Sequence, residues 1–97
     1  MKLGLKEIKE RMKELKSWKL KKGKLELNLE FKDFKSAMKF VNKVAELAEN
    51  EFHHPDIFIH SWNKVNLTLY THDAKGLTEK DFSLAEKIEK ILGKHAL

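Results

Sequence analysis

Four of the five histidines in this 97-residue chain fall within one stretch, EFHHPDIFIHSWNKVNLTLYTHDAKGLTEKD, Glu51 to Asp81. Imidazole titrates at about pH 6.5, so histidines brought together can give and take protons near neutrality. His53 and His54 adjoin each other just before Pro55, and His72 stands where an alternating segment ends. Element ends over a rigid sheet are ordinary places for sites. Plainer roles fit the same residues. Imidazoles past a helix end interact favourably with its dipole. His72 can be a solvated residue, Asp81 a helix cap, and His60 and His95 surface residues.

A metal centre fits less well, because adjacent histidines lack the i,i+4 geometry of a helical pair and no third ligand is spaced diagnostically. The chain has no cysteine, which excludes disulfides, thiolate catalysis and Cys-based zinc sites. There is no glycine-rich phosphate loop and no GxSxG motif. No apolar run approaches the roughly 18–20 residues that span a bilayer, and the charged N-terminus lacks a signal-peptide core. The expectation is a cytoplasmic protein with no membrane partner. Residues 1–24 carry a balance of +7, which leaves −2 for the remainder. Such an arm can hold phosphates, but Arg11 is the only arginine, and bidentate phosphate or guanine contacts favour arginine. A solvated helix face is the better reading, and nucleic acid is not an expected partner.

The elements that must position the histidines follow from periodicity. Leu5, Ile8, Met12 and Leu15 recur at helical spacing, with Glu7 placed to pair with Arg11. Leu25, Leu27, Leu29 and Phe31 alternate with Glu26, Asn28 and Glu30, as a half-buried strand does. Residues 21–24 can turn back to a shorter strand near Trp18–Leu20. Asp33 can cap a second helix, whose apolar stripe is Phe34, Ala37, Val41, Val44 and Ala48, widened by Met38, Ala45 and Leu47. Strands over Phe58–Trp62 and Val65–Thr71 follow, with Asn63-Lys64 near the reversal. After a turn at Gly76, Thr78 and Asp81 form a variant capping box for a last helix marked by Phe82, Ala85, Ile88 and Leu92. The order is α-β-β-α-β-β-α. This is an α+β fold of two layers: a four-stranded antiparallel sheet with helices on one face. It is read as a single domain over residues 1–97, with residues 1–17 an N-terminal amphipathic helix and residues 18–97 the core.

Several of these segments together resemble the pterin-4a-carbinolamine dehydratases. The matching elements are Ala48-Glu49 ahead of His53-His54-Pro55, Asn63-Lys64-Val65, Thr71-His72, and Gly76-Leu77-Thr78 leading to Asp81. Trp18 and LEFKDFKSAMKFVNKVAELAE fit as well. The chain departs at Phe52, where many members have Asp or Asn. It also has Ile57 and Trp62 where other aromatics are common, in a segment one residue longer than in animal members. The resemblance implies dehydration of a 4a-hydroxytetrahydropterin, without metal or other cofactor. His53 and His72 would be the acid–base pair, His54 would bind or orient the pterin, and Asp81 would orient His72. Glu49 would contact the pterin or hold the first histidine, Pro55 would shape the pocket, and Trp62 would contact substrate. It also implies a homodimer or homotetramer, which an open sheet edge would allow. The alternative is a non-catalytic dimerisation or scaffold protein of the same fold.

Overall fold

The computed structural model describes residues 1–93. Its elements are α1 (Leu5–Met12), β1 (Lys19–Lys21), β2 (Lys24–Glu30), α2 (Phe34–Glu51), β3 (Asp56–His60), β4 (Lys64–Leu69), a 3-10 turn over His72–Ala74, and α3 (Glu79–Leu92). The strands form one antiparallel sheet in the order β1-β2-β4-β3. This is the architecture that the alternation and the helical stripes predict. His95 lies outside the described residues.

The register follows from which side chains must leave water. Leu25 and Leu27 of β2 pair with Leu69 and Leu67 of β4, and all four are at most 1% exposed, beneath the helices. On the other face Asn66 Nδ2 donates to Asn28 Oδ1 at 2.7 Å and to Glu26 Oε2 at 3.2 Å. A slip of one residue would exchange the two sets, so the register is strongly specified.

α2 begins at Asp33, whose Oδ1 accepts the Ser36 N–H at 2.7 Å. Its buried stripe is Ala37, Phe40, Val41, Val44 and Ala48. Phe34, expected in that stripe, overhangs the first turn at 52% exposed. Phe40 takes the central place instead, its ring 5.2 Å from Phe31.

Three further local details differ from the sequence reading. Arg11 does not pair with Glu7. It reaches across to Glu79 and Glu86 of α3, with its guanidinium 5.1 Å above the Phe82 ring. That contact, with the Leu3 N–H donating to the Leu77 carbonyl at 2.8 Å, straps the N-terminal segment over the start of α3. The β3–β4 reversal comes earlier than Asn63-Lys64, at Ser61 and Trp62, both left-handed with φ of 51° and 56°. Ser favours turns, but neither Ser nor Trp favours the left-handed conformation that this one requires. Before α3, the left-handed residue is Lys75, at φ 56°, rather than Gly76.

Candidate active site

α2 ends at Phe52, which adopts the left-handed conformation (φ 53°, ψ 38°) and donates its N–H to the Ala48 and Glu49 carbonyls. This one residue sends the two following histidines apart. His53 runs inward, its side chain 11% exposed and its Nε2 2.6 Å from Asp81 Oδ1. His54 stays outside, 62% exposed, with Nε2 2.6 Å from Glu49 Oε2.

Asp81 is fully buried at the third position of α3. The capping box places it there. Its Oδ2 accepts the Thr78 N–H at 2.9 Å and the Thr71 hydroxyl at 2.7 Å. Thr71 has one hydroxyl proton and gives it to Asp81, so the Thr78 hydroxyl, 2.8 Å away, donates to Thr71. Lys80 in turn donates its N–H to Thr78 Oγ1 at 3.3 Å. A buried carboxylate is costly unless its oxygens are met by donors. Here both are, and only Oδ1 faces a titratable ring.

Asp81 thus pairs with His53 and not with His72, contrary to the sequence expectation. Strand alternation explains why. Thr71, extended and two residues past the buried Leu69, keeps the parity of the inner face and turns toward the carboxylate. His72 opens the 3-10 turn, is exposed, and sets its ring edge-on to Tyr70 at 5.1 Å. Its carbonyl accepts the Lys75 N–H at 3.1 Å, while its ring makes no hydrogen bond among the described residues. Glu49 likewise holds the second histidine rather than the first.

The three imidazoles of His53, His54 and His72 line one cleft of about 260 Å³, together with Phe52, Tyr70, Thr71, Asp73 and Lys80. A larger groove of about 570 Å³, walled by Leu3 and Ala74, adjoins it across Thr71, Asp73 and Lys80. Pro55 follows the histidine pair but is not part of the cleft wall. Trp62 is not brought to the cleft at all. It sits at the far end of β3, 61% exposed, and five residues of strand at ~3.3 Å each carry it roughly 17 Å away. His60 is exposed, its ring stacked on Phe58 at 4.9 Å. Sequence reasoning did not place Phe52, Tyr70, Asp73 and Lys80 on the cleft wall. Thr71 was within reach, since its parity with Leu69 already aims it at the helix layer. No three His, Asp or Glu side chains converge as metal ligands among the described residues. The cleft offers instead one imidazole on a buried carboxylate, one on an exposed carboxylate and one unpartnered.

An antiparallel sheet with helices on one face, its rim carrying an imidazole-lined cleft, defines a class of small α+β proteins. Within that class the chain belongs to the pterin 4 alpha carbinolamine dehydratase family, whose model matches residues 1–91. A protein of Acidobacterium capsulatum, provisionally named pterin-4-alpha-carbinolamine dehydratase, is 56% identical over 90% of this chain and 94% of its own. A Sulfurisphaera tokodaii protein with the same provisional name is 46% identical over 94% and 97%. The crystal structure of a transcriptional coactivator/pterin dehydratase from Brucella melitensis superposes with a TM-score of 0.88 at 33% identity, covering 94% of this chain and 98% of that one. A pterin dehydratase-like RuBisCO assembly factor of the alpha-carboxysome shares the fold, with a TM-score of 0.66 at 23% identity over 80% of this chain and 92% of that one.

Proposed function

We propose that this protein dehydrates 4a-hydroxytetrahydropterins to quinonoid dihydropterin by histidine acid–base catalysis in the cytoplasm. The observation that carries the reading is the His53–Asp81 pair, whose imidazole lines the same cleft as His54 and His72. Family membership and the relatives' names support the substrate class.

The reaction breaks the C4a–O bond. The N5 lone pair supplies the electrons, an acid protonates the departing oxygen to give water, and a base takes a proton from a ring nitrogen. One placed acid and one placed base suffice, each contributing roughly 10²–10⁴-fold. With Asp81 accepting the Nε2 proton, His53 is fixed in the tautomer whose Nδ1 holds the lone pair, and it serves as the base. The His72 ring is exposed on the cleft and makes no hydrogen bond among the described residues, so it is open to the substrate and serves as the acid. His54, held by Glu49, orients the heterocycle. The reaction needs no redox step or covalent intermediate.

The same reading has copies assembling as a homodimer, or a homotetramer built from dimers, through the sheet edge. β1 is guarded by its shortness and by Lys19 and Lys21. β3 presents Ile57 and Phe58 at 39% and 59% exposed, as an edge awaiting a partner would. The rival reading is a scaffold without catalysis; the Brucella melitensis protein is named a transcriptional coactivator as well as a pterin dehydratase. Direct assay of carbinolamine dehydration with purified protein separates the two. A rate no faster than the spontaneous reaction favours the scaffold.

A further inference from the structure

Phe52 is unsuited to its place by every folding criterion. The turn that separates His53 from His54 requires a left-handed residue, and Phe52 occupies it at φ 53°, ψ 38°. Gly takes that conformation freely and Asn or Asp at little cost, whereas a bulky side chain there is strained. Burial could offset the strain, but the ring is 86% exposed, more than Leu5, Trp62, Phe58 or Phe34. Among the described residues it makes no ring or cation contact. Its hydrogen bonds come from the backbone alone and would serve any residue.

What distinguishes Phe52 is its position on the wall of the cleft, between α2 and the inward His53. The other non-imidazole ring of that wall, Tyr70, is already engaged. His72 lies against it at 5.1 Å and the Lys24 ammonium sits 5.0 Å from its centroid. Phe52 is the aromatic surface left uncommitted. Strain retained at a cleft points to function when the surrounding structure has no use for it.

We propose that Phe52 is a substrate-binding residue whose ring stacks on the flat heterocycle held between the histidines. This rests on the dehydratase reading and deepens it. Stacking needs only a conjugated planar face, so Phe52 adds affinity without choosing among ring substituents, and it takes no part in proton transfer. A residue with this role sets stability against binding. Its replacement by a left-handed-tolerant polar residue should make the protein more stable and less able to hold substrate.

The test compares Phe52→Asn and Phe52→Tyr with the wild-type chain, measuring melting temperature, turnover and equilibrium binding of a dihydropterin by fluorescence quenching. Phe52→Asn should melt about 4–8 °C higher. It should bind the dihydropterin, and show a KM for the carbinolamine, about tenfold weaker, with kcat within about twofold. Phe52→Tyr should retain both wild-type values. Unchanged KM and binding in Phe52→Asn overturn the proposal. So does a smaller assembly mass for Phe52→Asn with KM unchanged, which would assign the ring to an interface between copies. A wild-type protein that neither binds the dihydropterin nor accelerates dehydration removes the dehydratase reading and this role together. A wild-type enzyme indifferent to Phe52→Asn removes this role alone.

Discussion

Asp81 gives one oxygen to the ring of His53 and the other to the start of its own helix. Oδ1 lies 2.6 Å from His53 Nε2, while Oδ2 takes the Thr78 N–H at 2.9 Å and the Thr71 hydroxyl at 2.7 Å. Cap and histidine partner are therefore not alternatives. The capping box fixes the carboxylate so firmly that its free oxygen can fix an imidazole.

Two substitutions separate these roles. Asp81→Asn keeps an acceptor for Thr78 and Thr71, but its amide donates to Nε2 and moves the His53 proton to Nδ1, removing the lone pair from the atom proposed as the base. Turnover should fall about 10²-fold or more in a protein that still folds. Asp81→Ala should also leave buried donors unmet, at a cost of about 2–4 kcal/mol in a denaturant titration. Unchanged turnover across about pH 6–8 in folded Asp81→Asn would reduce Asp81 to a cap.

The histidines should divide the work unequally. His53→Ala and His72→Ala should each lower kcat by roughly 10²–10⁴-fold, less where water substitutes for the missing group. His54 is outside, on an exposed Glu49, so His54→Ala should chiefly raise KM. Equal and mild losses at all three positions contradict these assignments, and steady-state kinetics of the three variants decides it.

The layer order and the sheet's inner face are legible in the sequence because both are set by local periods. Leu25, Leu27, Leu67 and Leu69 announce themselves by alternation alone. The partner of Asp81 is not legible. It depends on which of two adjacent histidines the α2 terminus turns inward, and that is decided by a left-handed Phe52 that no residue preference signals. The displaced β3–β4 turn has the same cause, with Ser61 and Trp62 at positive φ where Gly or Asn would have marked the spot. The Arg11 contacts with Glu79 and Glu86 escape for another reason. A nearby Glu7 offers a local pair, and only the folded chain shows that α3 outbids it.

Arg11 anchors the N-terminal strap. Its hydrogen bond to Glu79, foremost, and that to Glu86 hold the guanidinium pKa above its ordinary value, against the effect of partial burial. Arg11→Ala should cost about 1–2 kcal/mol, through lost charge-assisted bonds and the lost contact with Phe82. For a chain this size that is a fall in melting temperature of roughly 4–15 °C. Arg11→Lys should recover only part of it, since an ammonium cannot serve two carboxylates and an aromatic face with one planar fork. Full rescue by lysine, read by thermal melting, would show that charge alone matters.

Glu51 ties the end of α2 to α3, accepting from the Lys87 ammonium and from the Ser83 hydroxyl at 3.2 Å. The bond with Lys87 is the main cause holding its carboxyl below the usual range. A depressed folded-state pKa means the stabilisation is present above the unfolded value, about pH 4.3, and is lost as pH falls through the folded one. Wild type should therefore melt above Glu51→Gln near pH 7, with the gap closing below about pH 4. A gap that persists undiminished at about pH 3 contradicts this account.

The central claim is that the cleft's imidazoles move the protons of carbinolamine dehydration. Stopped-flow measurement of 4a-hydroxytetrahydropterin decay, with wild-type protein beside a His53→Ala/His72→Ala double variant, tests it most directly. The predicted result is decay by wild type at least about 10²-fold above the spontaneous rate, with the folded double variant close to that rate. Wild-type decay at the spontaneous rate, or a double variant as fast as wild type, would contradict it.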